Sequence, residues 1–166
     1  MTCYDHYPMR LVVLTLVELL AVAVVGLMLV AQLGWWSVIA YALVGGLGII
    51  LSLAWVCTRC RYYGKMCGLG LGRLSALGFQ KRDEEEFGRQ REQTIAWSLV
   101  GLALALPLVA GLVSFSGSRA LPGMALLIIY LGLLVAIALT HSGLVCGRCL
   151  MAKHGRCTLG RVAGYK

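Results

Sequence analysis

Charged residues are scarce in this 166-residue chain: they make up 13% of it and only seven are acidic, against about 25% charged in an ordinary soluble domain. Proline and phenylalanine are equally rare, with three of each. No stretch reads as a phosphate-binding loop, as H-E-x-x-H or as G-x-S-x-G. Nucleotide hydrolysis, zinc proteolysis and serine-type acyl transfer therefore have no motif behind them, and no catalytic residue is assigned. Strand-like alternation is missing from the apolar stretches, which excludes a membrane β-barrel. What fills the chain instead is apolar: 60% of residues are hydrophobic, against roughly 45–50% in soluble proteins. Such a chain needs a lipid bilayer to cover it, and its fold class is an all-α integral membrane protein.

Four apolar runs are each long enough to cross a bilayer, which takes about 20 helical residues. They are residues 11–31, interrupted only by Glu18, then 36–56, 95–113 with Pro107 inside, and 121–140. Each is expected to be helical, because only a helix or a closed barrel satisfies its own backbone in hydrocarbon. The first run exceeds the roughly 7–15 residues of a signal-peptide core and ends at no convincing cleavage site, so it is read as a retained span. Pro107 is tolerable where a neighbouring helix takes up the carbonyl that it frees.

The connections set the orientation. Residues 32–35 carry no charge, and of the fifteen Lys and Arg residues only Arg119 lies in the other short connection, 114–120. All the rest fall at Arg10, in the central loop or in the tail. The positive-inside rule therefore puts both termini and the central loop in the cytoplasm of a multi-pass inner (plasma) membrane protein. The net charge of +8 follows this topology, so nucleic acid is not the expected partner. Trp35, Trp36, Trp55 and Trp97 stand near span ends, where amphipathic rings favour the interface.

The chain also repeats itself. After the second run it reads Cys57-Thr-Arg-Cys60, then six residues, then Cys67-Gly-Leu-Gly. After the fourth it reads Cys146-Gly-Arg-Cys149, then seven residues, then Cys157-Thr-Leu-Gly. Both copies have the form C-x-R-C…C-x-L-G, and each follows a pair of spans. The expected architecture is a four-helix bundle of two tandem hairpin repeats. Residues 1–93 form the first, with its cysteine motif at 57–67 and a cytoplasmic loop at 68–93. Residues 94–166 form the second, with its motif at 146–157 and a basic tail. Two spans per unit keep both units in the same orientation, related by a pseudo-twofold along the membrane normal. Ala42 and Gly46, four apart, are expected to permit close helix packing.

A C-x-x-C pair lets two sulfurs converge on one metal, and two pairs make a tetrahedral site. The cytoplasm is reducing, which favours metal over structural disulfide. The surrounding Arg59, Arg61, Lys65, Arg148, Lys153 and Arg156 favour the thiolate form. Three arrangements are open: one four-sulfur site from Cys57, Cys60, Cys146 and Cys149; two sites of three cysteines, Cys57, Cys60 and Cys67 against Cys146, Cys149 and Cys157; or one polynuclear centre. His154 is a possible extra ligand in the second copy, although Tyr62 and Tyr63 stand near the matching place in the first. Soft sulfur ligation suits zinc, an iron–sulfur cluster or copper(I), with zinc or iron–sulfur the expected cofactor. Palmitoylation accounts for juxtamembrane cysteines without metal, but not for their repetition. Cys3 lies outside the pattern.

Two further features carry weight. Glu18 lies about eight residues, or roughly 12 Å, into the first span, where an ionisable group is a functional candidate by default, and His141 is its possible partner. Gly68, Gly70 and Gly72 form G-x-G-x-G, but a membrane span precedes them and no strand does, so they are not a dinucleotide fingerprint. The expected function is a small inner-membrane subunit that carries a cysteine-ligated metal centre, with a structural, assembly or electron-transfer role beside other membrane subunits or further copies of itself. The alternative is a transporter or metal-ion handling protein that uses the cytoplasmic cysteines and Glu18.

Overall fold

The structure, a computed structural model, describes residues 4–87, 91–115 and 120–149. Every described element is helical. Four long helices account for the four apolar runs: α1 (Met9–Ala31), α2 (Trp35–Leu51), α4 (Arg91–Phe115) and α5 (Ala120–Thr140), with a short α3 (Leu71–Gly78) between the two pairs. All four are long and apolar enough to cross a membrane, α2 and α5 when taken with the turns that continue them to Arg59 and Arg148. Most of their surface faces outward and is apolar, including Leu20, Met28, Leu43, Leu112, Val135 and Leu139. In water that surface would be untenable, so this is the outside of a bundle solvated by lipid.

The α1–α2 turn is tight because Gly34 sits at φ 114°, a conformation open to glycine and to few other residues. Ser37 stitches the turn by donating to the Val30 carbonyl at 3.0 Å. Helix α1 packs against α5 and α2 against α4, while α1 and α4 touch at the centre. Exchanging the two hairpins exchanges the outer pairings and leaves the central one in place. The bundle core consists of Val22 and Leu29 of α1 and Tyr130 of α5, ringed by Leu104 and Leu108 of α4 and by leucines of α5.

Pro107 does not interrupt α4. Tyr130 donates to the Leu104 carbonyl at 3.0 Å, next to the Ala103 carbonyl whose usual helical donor is the N–H that Pro107 lacks. Gly26 completes this crossing: a Cβ there would lie 2.8 Å from the Tyr41 hydroxyl and 3.1 Å from Pro107 Cγ.

The expected close approach at Ala42 and Gly46 is not where the helices meet. Ala42 is exposed, and a Cβ on Gly46 would have nothing within 4 Å. The contact lies half a turn on, at Gly48, where a Cβ would be 3.3 Å from the Val100 backbone nitrogen. Spacing by four identifies a stripe of small residues, but it does not say which stripe faces the neighbour.

Candidate functional site

Both C-x-R-C segments stand at the same end of the bundle, opposite the α1–α2 turn, and they follow the same backbone course. Each second helix widens into one π-helical turn, Ser52–Val56 or His141–Val145, then tightens into a 3-10 turn, Cys57–Arg59 or Cys146–Arg148. The Cys57 N–H bonds to the Ser52 carbonyl five residues back, and the Cys146 N–H to the His141 carbonyl, also five back. Cys60 and Cys149 then turn extended, at φ −84° and −88°, and each donates its N–H to the carbonyl of the motif's first cysteine at 3.2 Å.

A π-turn breaks the regular ladder and exposes carbonyls that need donors. In the first copy side chains supply them. Ser75 takes Leu53 at 2.9 Å, Thr58 takes Ala54 at 2.7 Å, and both Arg59 Nη1, at 2.9 Å, and Gln93 Nε2, at 3.3 Å, take Trp55. In the second copy the Tyr7 hydroxyl takes Val145 at 2.7 Å.

Each motif is also fastened to the segment that leads into the other hairpin. Arg59, 3% exposed, pairs with Glu86 at 3.1 Å and with Glu92 at 3.3 Å, and the Arg82 N–H donates to the Thr58 carbonyl at 2.9 Å. These partners lead into or open α4. Arg148 donates to the Tyr4 hydroxyl and lies over its ring, 5.3 Å from the centroid, and the Tyr4 N–H donates to the Arg148 carbonyl at 3.1 Å. Tyr4 leads into α1. The two arginines thus hold equivalent places with different chemistry, an ion pair in one copy and a cation–π contact in the other.

The cysteines fall into two groups around a buried aromatic wedge. Tyr4, Tyr7 and Tyr62 meet in sequence, the first pair tilted and the second edge-on, with ring centroids 5.4 Å apart at each step. Cys60, Cys67 and Cys149 pack against the cluster of Tyr7, Tyr62 and Val145. Cys57 lies within electrostatic range of Cys60 and Cys67, while Cys146 and Cys149 adjoin Tyr7. All five are half-buried. Cys67 is held by the Gly72 N–H, which donates to its Sγ at 3.3 Å. The sulfurs adjoin without converging: among the described residues no three His, Cys, Asp or Glu side chains form a group able to hold a metal. Comparison with family models, curated proteins and solved structures returned no match. The chemistry of this end is therefore read from its own geometry. Cys157 and His154, candidates for the second copy, lie outside the described residues, as do Lys153 and Arg156.

Tyr7 is the keystone of the wedge, 4% exposed. Burial pushes its phenol well above the ordinary tyrosine range, and Cys149, Tyr62 and Cys146 push the same way. The neutral hydroxyl is the form that donates to Val145. Its folded pKa lies above the unfolded one, so its contribution is complete below the unfolded value of about 10 and is lost as pH rises beyond it. Stability measured against pH should fall above about pH 10, and Tyr7→Phe should flatten that fall. An unchanged slope in the variant would remove Tyr7 from this role.

The G-x-G-x-G run has a packing reason at each glycine. A Cβ on Gly68 would strike Val145, one on Gly72 would strike the Tyr62 carbonyl, and Gly70 sits at φ 70° ahead of α3. The Gly68 carbonyl accepts from the buried Thr15 at 2.5 Å. These contacts fold the cysteine turn back onto α1.

Glu18 is half-buried between α1 and α5. Its Oε1 accepts from Thr140 at 2.9 Å, one residue before His141, which lies within electrostatic range. Its Oε2 is buried with no partner among the described residues. Sequence reasoning missed Tyr4, Tyr7, Glu86 and Glu92. The acidic run 83–86 reads as part of a short solvated helix leading into the third span, and only the fold brings Glu86 to the buried Arg59.

Proposed function

We propose that the chain is a small inner-membrane subunit built from two duplicated hairpins, which holds soft metal ions on paired cysteine motifs at its cytoplasmic end and serves a structural or assembly role in a larger membrane complex. The observation that carries this reading is the shared π-to-3-10 course of the two C-x-R-C ends, each locked to the other hairpin's leading segment. Matching motifs, matching backbone and exchangeable helix contacts support a duplication with a pseudo-twofold along the membrane normal. The arginine-rich end then faces the cytoplasm by the positive-inside rule.

The donor set fits a soft ion by type. Cys57, Cys60 and Cys67 would hold one, and Cys146 and Cys149, with Cys157, a second. The tyrosine wedge between the groups favours two sites of three cysteines over one shared four-sulfur site. The sulfurs must rotate to close either site. Fixing a side-chain rotamer costs on the order of 1 kcal/mol, small beside the apparent ~10–16 kcal/mol of structural zinc in peptides at neutral pH. Zinc suits a clasp that closes each cysteine turn onto the end of its own hairpin, whereas an iron–sulfur cluster would make the same end an electron carrier.

Elemental analysis and an absorption spectrum of the detergent-purified protein test this. The expected result is colourless protein with one zinc per cysteine triad, half of it lost in Cys57→Ser/Cys60→Ser. Visible absorption with iron and sulfide would replace the clasp by electron transfer. No metal in protein purified without chelator would overturn the reading. A second reading, metal-ion transport, rests on the unpartnered Glu18 oxygen. Metal uptake into proteoliposomes that is abolished by Glu18→Ala would favour it over the subunit.

A further inference from the structure

The short helix α3 lies outside the four-helix bundle, against the turns that end the second span. Ser75 donates to the carbonyl of Leu53, in the π-helical turn at the end of the second apolar run. A Cβ on Gly70 would lie 3.3 Å from Val12 and 3.9 Å from Leu16 of α1. The buried face of α3 is Gly72 and Ser75. Its opposite face presents Leu77, 83% exposed, Leu74, 52% exposed, and Arg73. Leu16 beside Gly70 is itself 45% exposed, so α3 starts against the lipid-facing surface of α1. Trp97, also exposed, stands one turn along α4 from Gln93, whose side chain reaches Trp55. Indole rings prefer the headgroup level, which places α3 there too.

The charge is complementary to lipid. Arg61 and Lys65 are exposed on the turn next to α3, joined to it where the Gly64 N–H donates to the Gly72 carbonyl at 2.9 Å. Among the described residues neither they nor Arg73 form an ion pair, whereas Lys81 is matched by Glu84 and Arg82 by Glu92. Unmatched cations beside exposed leucines are the pattern of a helix lying in an anionic interface.

We propose that α3 is an interfacial helix that seats Leu74 and Leu77 at the acyl boundary and takes the phosphate of an anionic lipid headgroup on Arg73, with Arg61 and Lys65 adding charge from the adjoining turn. The occupant is lipid rather than protein because α3 starts beside the lipid-facing Leu16 of α1 and its outward face combines exposed leucines with cations that have no carboxylate partner among the described residues. This inference stands whether or not the cysteines hold metal.

Amide hydrogen exchange of the full chain in nanodiscs tests it, comparing phosphatidylcholine alone with the same lipid containing phosphatidylglycerol. Exchange over residues 71–79 should slow when phosphatidylglycerol is present, with a contribution of about fivefold per basic residue at an anionic surface. Arg73→Gln should remove about that factor, and Leu77→Ser should speed exchange in both lipids. Both side chains point outward, so the fold should survive, and unchanged exchange in α1 would confirm that it does. Equal exchange in the two lipids would overturn the proposal. So would protection that rises with the number of chains per disc, which would make a second copy the occupant.

Discussion

Replacing Arg59 by alanine is expected to destabilise the protein by about 2–3 kcal/mol, whereas Arg148→Ala, at the same place in the second motif, should cost less than about 1 kcal/mol. The difference lies in burial. Arg59 is 3% exposed and bonds to the Trp55 carbonyl as well as to Glu86 and Glu92. The two carboxylates are nearly half exposed, at 47% and 44%, and can rehydrate, so the ion pairs alone are worth little. The larger losses are the hole left by a buried guanidinium and a poorly satisfied carbonyl at the π-turn. Arg59→Lys should recover little of this, because an ammonium cannot serve three acceptors in the planar fork arrangement. Arg148 lies over Tyr4 on the exposed side of the motif. Thermal melting of both variants in one detergent is the check, and equal losses would mean that the motif arginines act alike.

The second large effect concerns two glycines. Gly72→Ala should cost about 3 kcal/mol, because its Cβ would fall on the Tyr62 carbonyl oxygen and 2.8 Å from that of Lys65. Both obstacles are backbone, which cannot swing aside as a side-chain tip can. The displaced turn carries Cys60 and Cys67, so under the proposed two-site reading the variant should also bind less metal at the first triad. Gly46→Ala is the matched control. It sits mid-helix with nothing within 4 Å of the new methyl, so it should be neutral or stabilising by up to ~1 kcal/mol through helix propensity. A destabilising Gly46→Ala would restore that glycine to a helix interface.

The four long helices were legible because hydrocarbon leaves the backbone one way to satisfy itself, and twenty apolar residues in a row leave the register little freedom. Helix ends were legible only in part. Hydropathy places the end of the second run near residue 56, but it does not foresee a π-turn or the side chains that serve its open carbonyls. The motif residues could be read as a pattern, yet the different fates of Arg59 and Arg148 depend on what leads into the opposite hairpin. Tyr4 and Tyr7 precede the first apolar run and carry no local signal of burial. Their role exists only once α5 ends beside α1. Residues 68–80 read as glycine-rich and only weakly amphipathic, because the buried face of α3 consists of Gly72 and Ser75.

The central structural claim is that the ends of α2 and α5 emerge on one side of the bilayer and meet across the tyrosine wedge. A chain stripped of every cysteine except Cys60 and Cys149, treated in native membranes with a short bis-maleimide, tests it most directly. The expected result is an intramolecular link that shifts the mobility of the monomer and joins the two peptides after digestion. Failure to link, with an impermeant maleimide reaching the two cysteines from opposite sides of the membrane, would contradict the fold and everything drawn from it.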